Sequence, residues 1–269
     1  MKQLFSKINI LVLFALFFSC SDDEGDSGRV NNLPEQFNGL FGAFPEGVGA
    51  ATYVAADIAI LFNKTGTRYA WYQNNQIQGI FDNDDANGPL GGGAPDAVDA
   101  ALNYATGMLI FYINGGSEFI VYDYNPSQFS LANTSMPTSA FGLYRISSPG
   151  VILRLETQSS VLNNPAFNNM VSAACRDDAI SGPFRFIFDN TGTEYIPFSF
   201  DNLSFGVTRG IDEWNPAGEQ PFSSIGAAFR FTDRNSDEHI AFINSEGDQI
   251  CFWDRNTGQR RFSEAYNLN

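Results

Sequence analysis

The sequence predicts an all-β fold, a four-bladed β-propeller, on three observations. A β-branched residue, then a small residue or Asp, then a pair of alanines, occurs four times: Val48-Gly49-Ala50-Ala51, Val98-Asp99-Ala100-Ala101, Val171-Ser172-Ala173-Ala174 and Ile225-Gly226-Ala227-Ala228. A proline lies upstream of each step, at Pro45, Pro95, Pro165 and Pro221. An aromatic-rich hairpin follows each step, and its strands are apolar on both faces rather than alternating. Sheets covered on both sides read this way, as blades stacked between two neighbours do.

The N-terminal segment is set apart from the fold. Lys2 and Lys7 flank the start of an apolar stretch, Ile8–Phe18, that is too short to span a bilayer. Ser19-Cys20 follows, and the whole resembles a bacterial lipoprotein signal over residues 1–19 in which Cys20 becomes the lipidated first residue. Phe17 stands where such signals carry Leu. Residues 20–30 read as an acidic tether, and Ser21-Asp22-Asp23-Glu24-Gly25-Asp26 resembles a surface-export signal of Gram-negative lipoproteins. These resemblances imply an outer-membrane lipoprotein exposed at the cell surface, touching the membrane only through its N-terminal lipid.

The propeller is expected over 31–269, with blades starting near 48, 98, 171 and 225. The hairpins ILFNKTGTRYAWY (60–72), IFYINGGSEFIVY (110–122), FIFDNTGTEYIPF (186–198) and AFINSEGDQICFW (241–253) align without gaps on Gly66, Gly116, Gly192 and Gly247. Each is a strand, a polar turn whose Gly supplies positive φ, and a second strand. Tyr69, Phe119 and Tyr195 align with Ile250, and Tyr72, Tyr122 and Phe198 with Trp253. With room for one more strand, each unit makes a four-stranded blade. The innermost strands line a narrow axis, where alanines let four backbones approach. Gly91-Gly92-Gly93 lacks the Lys-Ser/Thr of a phosphate loop and reads as a flexible link between blades. An insertion lies within 125–170. In it Phe141–Arg145 and Val151–Leu155 flank Ser147-Ser148-Pro149-Gly150, either an extra hairpin or an elongated outer strand pair. It is either a ligand-carrying insertion or passive packing.

The four units resemble hemopexin repeats, whose blades open on a hydrophobic-Asp-Ala-Ala step. Val98-Asp99-Ala100-Ala101 with Phe111-Tyr112-Ile113-Asn114-Gly115 carries the likeness best, and it spans about residues 41–266. The resemblance implies axial ion sites, a Ca²⁺ or Na⁺ ringed by main-chain carbonyls at Gly49, Asp99, Ser172 and Gly226, and a second ion ringed at Ala51, Ala101, Ala174 and Ala228. Only Asp99 keeps the family's Asp, and neither end carries the Cys that often ties first blade to last. Closure then falls to strand pairing or packing, for example by Phe262–Tyr266 against the first blade.

The chain has 269 residues, is 43% hydrophobic with 26 Phe, and carries a formal net charge of −15. So acidic a surface argues against nucleic acid and anionic lipid as partners. His239 is the only histidine, which removes His-rich zinc sites and a two-His haem site, so no haem is expected. Two loops resemble pieces of Ca²⁺ loops: Asn83, Asp85 and Asn87, and Asp233, Asn235 and Asp237. Ala94 and Asn244 stand where an EF-hand closes with Glu, so acidic turns are the alternative reading. Cys175 and Cys251 read as a disulfide or as two buried thiols. The function expected is a non-enzymatic binding or adhesion module for a protein or glycan. The alternatives are a glycan hydrolase drawing on Asp82, Asp84, Asp212 or Glu213, and a structural envelope lipoprotein.

Overall fold

The computed structural model describes residues 37, 39–55, 57–105, 108–123, 130–131, 135–137, 144–148, 151–154, 170–177, 184–199, 204–214, 221–232, 237–254 and 265–268, all within the unit Asn32–Asn269. Cys20, the signal and tether, Asp233 and Asn235 lie outside them. A short helix, α1 (Leu40–Ala43), leads into blade 1, built in order from β1 (Val48–Ala55), β2 (Ile58–Asn63), β3 (Arg68–Gln73) and β4 (Gln76–Asp82). Blade 2 has β5 (Ala100–Ala105), β6 (Met108–Ile113) and β7 (Glu118–Asp123); two short strands, β8 (Ser130–Leu131) and β9 (Met136–Pro137), share the outer edge of β7. Next, β10 (Tyr144–Ser148) and β11 (Val151–Arg154) pair as a separate hairpin, so the insertion holds an extra hairpin rather than a longer outer pair.

Blade 3 repeats the plan of blade 2. It has β12 (Val171–Asp177), β13 (Phe184–Asp189) and β14 (Glu194–Ser199), with β15 (Ser204–Phe205) and β16 (Arg209–Gly210) sharing the outer edge. Blade 4 is β17 (Ile225–Thr232), β18 (Glu238–Asn244), β19 (Gln249–Asp254) and β20 (Tyr266–Asn267). Neighbouring strands within each blade are antiparallel. The inner strands β1, β5, β12 and β17 contact one another in that cyclic order, β17 returning to β1, so the four sheets close a ring. The molecule is an all-β, four-bladed propeller.

The two-faced hydrophobicity of the hairpins has its cause here. Along β6, Leu109 and Phe111 enter the core shared with blade 1, while Ile110 and Tyr112 enter the core shared with blade 3. The period of two along a strand therefore distributes side chains between two apolar interfaces. The alanine pairs follow the same rule. Ala50, Ala100, Ala173 and Ala227 face the following blade; Ala51, Ala101, Ala174 and Ala228 face the preceding one. Their methyls thus do not line the axis. They sit in the interblade cores nearest the axis, where a larger side chain would hold adjacent inner strands apart.

Of the segment expected to close the ring, residues 262–264 lie outside the described residues, while Tyr266 packs on the core shared by blades 4 and 1. Tyr266 and Asn267 pair with Ile250 and Gln249 of blade 4 and give that blade its outer strand, instead of adding to blade 1. The first residue of each blade donates its amide to the turn glycine of the preceding one: Val98 to Gly66 at 3.0 Å, Val171 to Gly116 at 3.2 Å, Ile225 to Gly192 at 2.8 Å and, across the seam, Val48 to Gly247 at 3.0 Å. Phe37 fills the seam from the N-terminal side. It is fully buried and packs on Tyr72 of blade 1 and on Phe229, Phe231 and Phe252 of blade 4.

Candidate functional site

Gly49, Asp99, Ser172 and Gly226, one from each blade, line a single cavity of about 330 Å³ at one end of the axis, together with residues of the hairpin turns. In β1, β12 and β17 this position is a β-bulge, which is what turns it out of the ladder. The positions singled out from the sequence therefore do converge. Their chemistry is another matter. Asp99 is the one carboxylate in the lining, and its Oδ2 accepts the amides of Gly115 at 2.7 Å and Gly116 at 3.3 Å. Ser172 Oγ donates to the Asp189 carbonyl at 2.6 Å. Lys64 lines the same cavity and its ammonium donates to the Ser245 carbonyl. Ca²⁺ takes six to eight oxygens from carboxylates, carbonyls and waters, and a cationic ammonium in the same cavity opposes it. A lining with one committed carboxylate and its own ammonium does not fit Ca²⁺. Ala51, Ala101, Ala174 and Ala228 are buried in the interblade cores, paired in register with Leu61, Phe111, Ile187 and Phe242.

Two residues beyond each alanine pair, the inner strands carry polar side chains that the sequence reading passed over. Asn103 Nδ2 donates to the carbonyls of Tyr53 at 2.9 Å and Val54 at 3.1 Å, tying blade 2 to blade 1. Arg176 donates to Asn103 Oδ1 at 2.8 Å, tying blade 3 to blade 2. Arg230 of blade 4 lies 5.4 Å from the centre of the Tyr53 ring and pairs with Glu238. Their shared offset from the alanine pairs was the available signal.

The loop with Asn83, Asp85 and Asn87 is not an assembled ion site. Asn83 is buried, and its Nδ2 donates to the carbonyls of Gly66 at 2.7 Å and Pro95 at 2.6 Å, while Asp85 Oδ1 accepts the Asn87 amide at 2.8 Å. Asp237 stands exposed just ahead of β18. Among the described residues no cluster of three His, Cys, Asp or Glu side chains could hold a metal. The glycine-rich link is anchored rather than loose: Leu90 is fully buried, its amide accepted by the Tyr69 hydroxyl at 3.0 Å and its carbonyl accepting the Tyr122 hydroxyl at 2.7 Å. Cys175 and Cys251 are free thiols in the core between blades 3 and 4, and burial pushes the Cys251 thiol well up.

A second cavity, about 430 Å³, opens on the outside of blades 3 and 4. It exists because the outer edge of blade 3 is interrupted. Opposite Pro197, which has no amide to give, β15 and β16 separate and Gly206–Thr208 loop outward. The Gly206 amide still donates to the Pro197 carbonyl at 2.7 Å. A 3₁₀ turn, Ile211–Trp214, then swings Trp214 inward, where it meets Phe186 at 4.8 Å, Tyr195 at 5.3 Å and Trp253 at 5.1 Å between ring centres. Phe184 and Pro197 extend this wall. Val207, 74% exposed, is the one large hydrophobic side chain left in solvent among the described residues. Beside it Arg209 donates to Glu213 at 2.8 Å, and that carboxylate holds the guanidinium proton more firmly than water does. Glu213, a hydrolase candidate by sequence, stands in this cleft, whose residues come from separate elements with no local pattern in common.

No protein-family model matches the chain, and no curated protein matches it. Among solved structures it is similar to the WD40 repeats of RRP9, at 7% identity and TM-score 0.30 over 81% of this chain and 50% of that one. It is also similar to the WD40 β-propeller domain of Doa1, at 11% identity and TM-score 0.30 over 80% of this chain and 53% of that one. A third likeness is to YCF48 bound to D1 peptide, at 8% identity and TM-score 0.33 over 82% of this chain and 67% of that one. The chain spans about half the length of the first two. Likenesses this distant carry no argument, and the propeller is read from the sheet order and the closed ring of inner strands.

Proposed function

We propose that the chain is a non-enzymatic binding module of hemopexin-like kind, displayed at the cell surface as an outer-membrane lipoprotein through Cys20. It takes a protein or glycan ligand in the cleft between blades 3 and 4. The cleft carries this reading. It is concave and largely aromatic, has one polar pair at its rim and an exposed apolar lip, and its volume lies within the range of about 300–1,000 Å³ common for ligand sites. The hydrolase alternative lacks comparable support. Asp82 and Asp84 lie at the outer edge of blade 1, Asp212 and Glu213 on blade 3 across the axis, and Asp82 pairs with Arg68 at 3.3 Å. No axial Ca²⁺ forms part of the proposal.

Two measurements test it. Incorporation of an alkyne fatty acid, abolished by Cys20→Ser, together with protease shaving of intact cells, tests display; a protein that resists shaving until cells are broken rejects it. Arrays of glycans and proteins probed with the mature chain in detergent test binding. Retention that falls at least tenfold in both Val207→Asp and Arg209→Ala supports the cleft. Retention indifferent to both, or turnover of a retained glycan, overturns the reading.

A further inference from the structure

Resting on the cleft as the ligand site, we propose that its ligand is an uncharged glycan, one pyranose ring of which seats against the aromatic wall while its hydroxyls bridge Arg209 and Glu213. Three features of the cleft select this chemistry over others.

The first is the pairing of wall and rim. Phe184, Pro197 and Val207 give the cleft its accessible apolar surface, and the nearly buried rings of Phe186, Tyr195 and Trp253 form its floor, with Trp214 edge-on against Phe186, Phe242 and Trp253. The carbon-bound hydrogens of a pyranose form an apolar face that packs on such surface. The opposite requirement, a donor and an acceptor close together, is met by Arg209 and Glu213, 2.8 Å apart. A guanidinium offers a fork of donors and a carboxylate offers acceptors only. Adjacent hydroxyls on a sugar each donate and accept, so a vicinal pair satisfies both side chains at once.

Charge is the second feature. The protein carries a formal −15, whereas the two charges of the cleft cancel at contact distance. An anionic sugar meets the repulsion of the whole molecule, and a neutral ligand does not.

Size and access are the third. A cavity of about 430 Å³ holds one or two sugar rings, and its rim pair is about half exposed, at 50% and 47%. The site is therefore open at one side, as the end or side branch of a longer chain requires.

The test uses the mature chain in detergent, followed by its tryptophan fluorescence because Trp214 and Trp253 lie in the cleft wall. The probes are neutral gluco-, manno- and galacto-configured oligosaccharides, uronate-containing oligosaccharides, and a tryptophan-rich peptide. The expected result is saturable binding of a neutral oligosaccharide. Arg209→Ala and Glu213→Gln should each weaken it at least tenfold, and Arg68→Ala, on blade 1, should leave it unchanged. Both cleft variants change exposed side chains, and a native melting transition confirms that they fold. Preference for uronates, or for the peptide with the same sensitivity to Arg209→Ala, overturns the glycan proposal while leaving a binding cleft in place. A cleft that answers none of the three probe classes overturns the glycan proposal and removes the support for the cleft itself.

Discussion

Asp99 stands alone in its position because of what its own blade lacks. In blades 1, 3 and 4 the hairpin turn begins with Asn63, Asp189 or Asn244. Their side-chain oxygens accept turn amides: Thr67 and Arg68 in blade 1, Thr193 and Glu194 in blade 3, and Gly247, Asp248 and Gln249 in blade 4. The equivalent residue of blade 2 is Ile113, which has nothing to accept with, and Asp99 reaches in from the inner strand to Gly115 and Gly116 instead. Asp99→Ala should therefore cost about 1–2 kcal/mol, the usual loss for a side-chain cap on exposed amides. Adding Ile113→Asn should recover most of it, since the new side chain supplies the cap used in the other three turns. Urea denaturation of the single and double variants decides this; equal stability of the two would refute the compensation. The turn glycines are a second residue-scale case. A Cβ on Gly66, Gly116, Gly192 or Gly247 would lie closer than 3.0 Å to the carbonyl of the next blade's first residue, and all four have positive φ, 69° to 82°. Gly192→Ala should cost about 3–5 kcal/mol from strain and overlap together. Gly42→Ala in α1, with nothing within 4 Å, should change stability by less than about 1 kcal/mol. Thermal melting of the pair measures the contrast.

At the scale of elements, the seam between blades 4 and 1 is the one interblade join without continuous chain across it. The same amide-to-glycine hydrogen bond recurs there, Val48 to Gly247, so backbone geometry does not distinguish it from the other three joins. Side chains do. Phe37 arrives from ahead of α1, and Leu268 from beyond β20 joins the same core. Phe37 touches aromatic rings on both blades, so its loss leaves a cavity that neither blade alone can close. Phe37→Ala should destabilise by about 3–5 kcal/mol. Hydrogen exchange should show faster opening in β1 and β17 than in β5 and β12. Uniform acceleration over all four inner strands would mean that Phe37 is an ordinary core residue and not a latch.

For the whole molecule, the ring is held by apolar interblade cores and by polar ties between inner strands. Arg185, almost fully buried on β13, adds a tie from the second strand of blade 3 to blade 2, its Nε donating to the Tyr104 carbonyl at 3.0 Å. These contacts tie neighbouring blades to one another at points other than the axial mouth. The melting midpoint in calorimetry should accordingly be the same with added Ca²⁺ and with a chelator. A fall of several degrees under chelation would show a stabilising ion at the axial mouth despite Lys64 in its lining.

The four units and their turn glycines were legible in the amino-acid sequence, because a repeated fold writes local pattern four times. Strand period and turn chemistry act over a few residues, and a sequence displays such distances directly. Tertiary structure alone decided which blade the last strand joins, that the alanine methyls face neighbouring blades, that Asn83 ties down a link instead of binding an ion, and that a cleft opens beside Pro197. Each of these depends on residues far apart in the chain meeting in space, and no local pattern records which partner a buried face or an outer strand edge will find.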